Sequence, residues 1–513
     1  MNIQKITQNF TTHFPGDISR NLYSRQTPGY LYCLVEPADF TCVSLILFNN
    51  DLAAEIGLGD YKDADLPFLA AQNLPENIKT YATAYAGHQF GNWAGQLGDG
   101  RVLFAGEITN NLDKTHEIQW KGAGATPYSR FADGRAVLRS SLREYLMSES
   151  LHFLGVPTSR SLSLCLTGEE ITRDIAYNGN PKKEKGAVIT RIAPSFLRFG
   201  HFELLSARKE LTSLQKLADY SINQNFSEIK STGKKRYQDW FEAVLKKTAD
   251  LVVDWYRIGF VHGVLNTDNM SVIGITLDYG PFSMLDAFDL NFTPNTTDLP
   301  GKRYAFGKQA EVALWNLSQF ANAVFPLIED AQFFEEQLQN FGNYFWQKHD
   351  EMLCRKFGFD ELKDSDVAFF QNWQQLMTEL QIDYTLFFTQ LENYDEQCDI
   401  KSQFEHCLYS KFIDESAEKL QDFLHQYQKR LTENAISKEK SLKLMKRSNP
   451  KFILRNYLLY ECIQEVNDGK TELLHQLLHA LQHPYENLYP KFATKRPSKY
   501  DDQFGCSMLS CSS

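Results

Sequence analysis

The apolar residues of this 513-residue chain change their period once, near residue 204, and that change limits the class of fold open to it. From about 96 to 192 the pattern is that of strands. Val102 to Ile108 is predicted as a strand, Thr109-Asn110-Asn111 as a turn and Glu117 to Lys121 as the next strand. Further strands are predicted at Ser161 to Leu166 and Ala187 to Ile192, with Lys182-Lys183-Glu184-Lys185 as a charged loop between them. One helix interrupts this region from about Gly134 to Leu154, with Val137, Leu138, Leu142, Tyr145 and Leu146 as its apolar stripe. Beyond 204 the period is helical. Phe241, Val244, Leu245, Thr248, Val252 and Trp255 recur on one face, and Gly259 ends their helix. Residues 305 to 490 read as a helical array. The expected class is α+β, two-lobed, with a ligand cleft between the lobes. The expected divisions are an extension packed on the lobes (1–80), a strand-rich nucleotide-binding lobe (81–203), a large helical lobe (204–500) and a flexible tail (501–513) carrying Cys506 and Cys511.

Just beyond Gly259 lies His262-Gly263-Val264-Leu265-Asn266-Thr267-Asp268-Asn269, and nine residues after Asn269 comes Asp278-Tyr279-Gly280. Set against the protein-kinase pattern H-R-D-L-x-x-x-N and D-F-G, the chain keeps His262, Leu265, Asn269, Asp278 and Gly280. Val264 stands where the catalytic Asp belongs, and an acid reappears at Asp268. The parts that hold metal and ATP are present and the usual base is not. Either the site is inert, or it does different chemistry on the same nucleotide. Asn and Asp oxygens suit Mg²⁺, which also takes phosphate oxygens and water, so Asn269 and Asp278 are candidate ligands. The segment Met270 to Leu277 reads as a hairpin that would bring the two together. The plainer alternative is two polar turns bounding a hairpin.

Transfer from ATP also needs a phosphate cradle and cations. Gly95-Gln96-Leu97-Gly98-Asp99-Gly100-Arg101 opens a strand and could bring backbone N–H groups to phosphate, although a simple hairpin turn has the same composition. Lys121 ends a strand, as a phosphate-binding lysine should, and Glu144 on the following helix is its natural partner. Arg191 and Arg198 flank Ala193-Pro194-Ser195 and could grip phosphate oxygens, or be surface arginines on a loop. His475, His479 and His483 recur every fourth residue without an acidic companion, and Lys438 to Lys451 is a basic run. Both read as ordinary helix faces.

The combination resembles the SelO family of protein adenylyltransferases, also called YdiU or UPF0061. The matching strings are Tyr85 to Gly91, Gln96 to Arg101, Gln119 to Gly124, Tyr128-Ser129-Arg130, Asp133-Gly134-Arg135, His262 to Met270, Asp278 to Phe282, Asn449-Pro450 and Leu454 to Tyr457. The resemblance implies a protein-kinase-like fold that binds ATP reversed and passes AMP to Ser, Thr or Tyr hydroxyls of proteins, releasing pyrophosphate. It implies Asp268 as proton acceptor and Asn269 and Asp278 as ligands of Mg²⁺, with Mn²⁺ as an alternative ion. Gly98, Gly100, Arg101, Lys121, Asp133, Gly134, Arg191, Arg198 and Asp278 would line the nucleotide, with Glu144 orienting Lys121. Cys511-Ser512-Ser513 looks like the family's C-terminal cysteine or selenocysteine site. Its disulfide partner in some members falls near Phe292 to Asn295, where this chain has Pro294 and no Cys, which leaves Cys506 as the near thiol.

Composition removes other classes. A net charge of −11 argues against nucleic acid. No run approaches the ~18 apolar residues of a membrane span, and Met1 to Asn9 lacks a signal-peptide core. Nine cysteines without a C-x-x-C pair fit reduced thiols in a cytoplasmic protein; the resemblance implies protein substrates, and a monomer is expected. Two rival readings stand: a phosphotransferase that uses Asp268, and an inactive nucleotide-binding pseudokinase scaffold. AMP against UMP is left open.

Overall fold

Alternation along the strands divides the interior into two packed layers. The structure is a computed structural model that describes residues 1–174 and 179–510. Among these, a nine-stranded sheet runs in the order Gly16–Asp17, Tyr32–Leu34, Tyr81–Thr83, Val102–Thr109, Thr115–Lys121, Lys182–Ala193, Arg160–Arg173 and Ser44–Phe48, with Ala136–Val137 paired beside Lys182–Ala193. Successive side chains leave a strand on opposite faces. Accordingly Cys165, Val188, Ile118 and Trp120 pack with the N-terminal segment on one face, while Leu164, Ala187 and Ile189 join the main core on the other. The chain is α+β, as its apolar periods predict.

The first 80 residues do more than pack against the rest. They supply Gly16–Asp17 and Tyr32–Leu34 at one edge of the sheet and Ser44–Phe48 at the other. The first two of these strands, of two and three residues, are too short to show a period. Lys182 to Lys185, predicted as a loop, are instead the start of the strand Lys182–Ala193 and pair with Glu170 to Arg173. Here the hairpin projects beyond the core. On the inward face of 182–185 stands Glu184, opposite the buried Ile171 and bonded to Arg139 at 2.9 Å, so a charged residue fills the place where an apolar one would mark a strand.

The predicted helix at 134–154 is Leu138–Phe153, because Ala136 and Val137 pair in the sheet. It is buried on nearly every side, polar residues included, where a single apolar stripe was expected. Each buried charge has a reason to be there: Glu144 meets Lys121, Glu149 meets Arg160, and Arg143 donates to Phe282 O at 3.1 Å. After the sheet come Phe199–Ala207, Leu211–Asn225 and the long helix Gly233–Ile258. Gly259, at φ 76°, caps the latter in the left-handed conformation that glycine adopts without penalty. Helices then run from Gln309–Ile328 to Glu472–Gln482, and the basic run forms Lys438–Ser448. Among the described residues no helix is long and apolar enough to cross a membrane.

Residues 501–510, read from sequence as part of a flexible tail, are seated on the fold. Leu509 N donates to Pro294 O at 3.2 Å, and Leu509 O accepts from Thr296 N at 2.8 Å. Cys506 is fully buried, and burial pushes its thiol up to about 12. Cys511 lies outside the described residues.

Candidate active site

Two strands place Lys121 and Arg191 in the cleft by alternation, and a helix start places Arg198. Glu117, Gln119 and Lys121 share the face opposite Ile118 and Trp120, and Arg191 pairs in register with Gln119. Arg191 Nη2 donates to Gln119 Oε1, which fixes the guanidinium on that face. The helix Leu138–Phe153 crosses beneath and presents Glu144 Oε2 to Lys121 Nζ at 2.7 Å and Oε1 to Arg191 Nη1 at 3.0 Å. The predicted Lys121–Glu144 pair therefore forms, with Arg191 as a third member. Arg198 caps the start of Phe199–Ala207 and lies over the Tyr85 ring at 4.8 Å.

These cations converge on Asp278. Its Oδ1 lies 2.7 Å from Arg191 Nη1 and 3.4 Å from Lys121 Nζ, and its Oδ2 lies 2.6 Å from Arg198 Nη1. Burial alone would raise the Asp278 pKa. The charges of Arg198, Lys121 and Arg191 outweigh it and hold the carboxyl well below its ordinary value. The residue sits at φ 56°, a left-handed backbone that a non-glycine residue adopts at some cost. Two acids, Glu144 and Asp278, face three buried cations, so the cluster calls for further negative charge.

Asp268 differs in environment. Its carboxylate is buried, burial raises its pKa to about 6, and one donor reaches it: Gln89 Nε2 to Oδ2 at 3.1 Å. Oδ1 is buried with no hydrogen-bond partner. Gly87 lets it sit there, since a Cβ on that glycine would lie 2.8 Å from Oδ1. A carboxylate poised near neutrality with a free oxygen can take a proton. Asn269 Nδ2 donates to Val264 O at 2.8 Å, which leaves Oδ1 as its ligand atom. With Asp278 it offers hard oxygen donors, a set that fits Mg²⁺ when phosphate supplies further oxygens. Among the described residues no three His, Cys, Asp or Glu side chains cluster as a ready metal cage, here or elsewhere.

The loop that carries these residues is pinned from outside. Gln309 accepts from His262 N at 3.0 Å and donates to Phe260 O at 3.0 Å. Asn295 donates to Gly263 O at 3.1 Å and Asn316 to Leu265 O at 2.9 Å. His262 bridges the loop to the Asp278 segment, its Nε2 lying 3.0 Å from Leu277 O. Above the loop, the hairpin of Ala86–Gln89 and Asn92–Gln96 donates His88 N to Thr267 Oγ1 at 2.7 Å and Phe90 N to Asn266 Oδ1 at 3.1 Å. Phe90 and Gly91 turn it at φ 50° and 82°, as a two-residue hairpin loop requires.

Gly98, Gly100, Arg101, Lys121, Asp133, Gly134, Arg191, Arg198, Asp268, Asn269 and Asp278 all line one cleft of about 780 Å³, with Glu144 behind Lys121. The glycines have a structural reason as well: a Cβ on Gly98 would lie 2.5 Å from the Tyr128 ring, and one on Gly134 would lie 2.2 Å from Ala125 N. Asp133 is held by Arg173 through two bonds of 2.7 and 2.8 Å. Gln89, Gln119, Asn266 and Arg173 were not singled out from sequence. The first three stand inside quoted strings, but nothing local marks them as contacts of the loop or of Arg191.

The sequence profile of the family described as protein adenylyltransferase SelO matches residues 20–482. A protein nucleotidyltransferase YdiU of Cytophaga hutchinsonii is 45% identical over 514 residues, covering 99% of both chains. Those of Flavobacterium johnsoniae and Aromatoleum aromaticum are each 42% identical, covering 99% and 98% of both chains respectively. With the match spanning most of its length and relatives this similar from end to end, the chain belongs to the SelO family of protein adenylyltransferases.

Proposed function

We propose that this protein transfers AMP from ATP to Ser, Thr or Tyr hydroxyls of other proteins, within a kinase-like two-lobed architecture that binds ATP reversed. The observation that carries the reading is the separation of two charge environments. Lys121, Arg191 and Arg198 bond Asp278 at the buried end of the cleft, while the Asp268 carboxylate takes no bond from them, although Arg198 Nη1 donates to its backbone carbonyl at 2.7 Å. A triphosphate entering phosphate-first places its β- and γ-phosphates on the cations. The α-phosphorus then lies toward Asp268, and Val264 no longer needs to be a base.

The Asp268 carboxylate takes the proton of the acceptor hydroxyl as the hydroxyl oxygen bonds to the α-phosphorus. The bond from that phosphorus to the bridging oxygen breaks, and pyrophosphate leaves with its charge received by Lys121, Arg191 and Arg198. Asn269 and Asp278 would hold Mg²⁺, which neutralises phosphate oxygens when bound. Glu144 keeps Lys121 and Arg191 aimed at the phosphates.

ATP labelled separately at the α and γ positions tests this. Label from the α position on protein is expected; γ label alone supports the phosphotransferase using Asp268, and binding without incorporation supports the scaffold. Running UTP beside ATP decides between AMP and UMP transfer. A second expectation concerns Gln89, whose hydrogen bond favours the charged form of Asp268. In Gln89→Ala the acid limb of the pH–rate profile should move above its wild-type midpoint near pH 6. An unmoved midpoint would remove Gln89 from that role.

A further inference from the structure

We infer that Phe131 is the resting surface for the nucleotide base, an aromatic platform at the mouth of the cleft on which the base stacks. The inference rests on the nucleotide reading given above. Its starting point is an anomaly. Phe131 is 106% exposed, the most exposed large apolar side chain among the described residues, yet it lines the same cleft as Lys121, Arg191 and Asp278. A phenylalanine left wholly in water forgoes the stabilisation that burial would bring, and this one stands on a cleft lined by buried cations, where a bound ligand can cover it.

The turn around it is built to hold that ring outward. Ser129 O accepts from Ala132 N at 2.9 Å, and Ser129 Oγ accepts from Thr126 N at 2.8 Å. On the far side Asp133 accepts from Arg135 N at 2.9 Å and is clamped by Arg173. Arg130 and Gly134 bracket the tip with left-handed backbones, φ 57° and 71°. Both ends are therefore anchored, and Phe131 is presented rather than loose.

Charge fixes which end of a nucleotide meets it. The cations lie at the buried end, with Arg191 and Arg198 only 1% and 2% exposed, so the phosphates go inward and the base must emerge at the mouth. There the cleft offers Phe131. Stacking on an aromatic face is tolerant of base identity, because every base has a π-face. A platform of this kind would secure the nucleotide without choosing strongly between adenine and another base.

The test compares ATP with inorganic tripolyphosphate, which keeps the charge and lacks the base, by calorimetry on the full-length protein with Mg²⁺. Phe131→Ala is expected to weaken ATP by about tenfold, the loss of one stacked base, and to leave tripolyphosphate unchanged. Phe131→Trp is expected to retain ATP binding, with indole fluorescence that responds to ATP and not to tripolyphosphate. Equal ATP affinity in wild type and Phe131→Ala overturns the inference. So does an equal loss for both ligands, which would make the residue a prop for the turn. If wild type binds neither ligand, the nucleotide reading itself fails, and the inference with it.

Discussion

Asp268→Asn is expected to lower transfer by about 10²- to 10⁴-fold, the range of a lost general base, with ATP affinity preserved. Asparagine keeps the shape of the carboxylate and the reach of Gln89, but it cannot accept the proton. The same change should stabilise the folded protein. Burial raises Asp268 to about 6, above its unfolded value, so the folded state binds the extra proton between roughly pH 4 and 6. Its contribution to stability is present below that window and lost as pH rises through it. Above pH 6 the variant escapes that loss, and its denaturant midpoint should rise by the equivalent of up to about 3 kcal/mol. An activity loss paired with a stability gain is what a residue retained for chemistry should give. Wild-type turnover by the variant would remove Asp268 as the base.

Asp278→Asn should act in the opposite sense on stability. It removes the anion to which Arg191, Arg198 and Lys121 are bonded and leaves buried cations facing Glu144 alone. Leaving buried charge uncompensated costs about 3 kcal/mol, to be read as a lower denaturant midpoint. The wild-type carboxylate contributes stability above its unfolded pKa of about 4, lost as pH falls toward its depressed folded value. The variant should therefore show a flatter stability profile below pH 4. Transfer and its metal dependence should vanish together. Metal-free tripolyphosphate should bind the variant more tightly than wild type, since no carboxylate competes for the cations. Weaker metal-free binding would refute the view that Asp278 holds the cations in the place of phosphate.

What could be read in the sequence follows the physics of each element. Lys121 is placed by strand alternation and Glu144 by its helix, so their meeting was legible. The order of Asp268, Asn269 and Asp278 was equally plain. The N-terminal strands were not, because two or three residues carry no period. Nor were the supports of the loop. Gln309, Asn295 and Asn316 act through side-chain amide hydrogen bonds across 32 to 51 residues, and a lone amide in a sequence looks like any other. Phe131 was passed over for a similar reason: one aromatic in a turn shows no period, and its exposure is a property of the folded surface.

The amide supports also set an order of assembly. Every residue that pins the loop 260–265 lies downstream of it, the last at Asn316, and the segment 294–296 is itself met by Leu509 near the end of the chain. A chain emerging from the ribosome exposes the strands, Lys121 and Asp268 well before these supports exist. The half-made protein can thus carry its acid and its cations before the downstream part of their frame exists, and that frame is complete only once Leu509 has joined it.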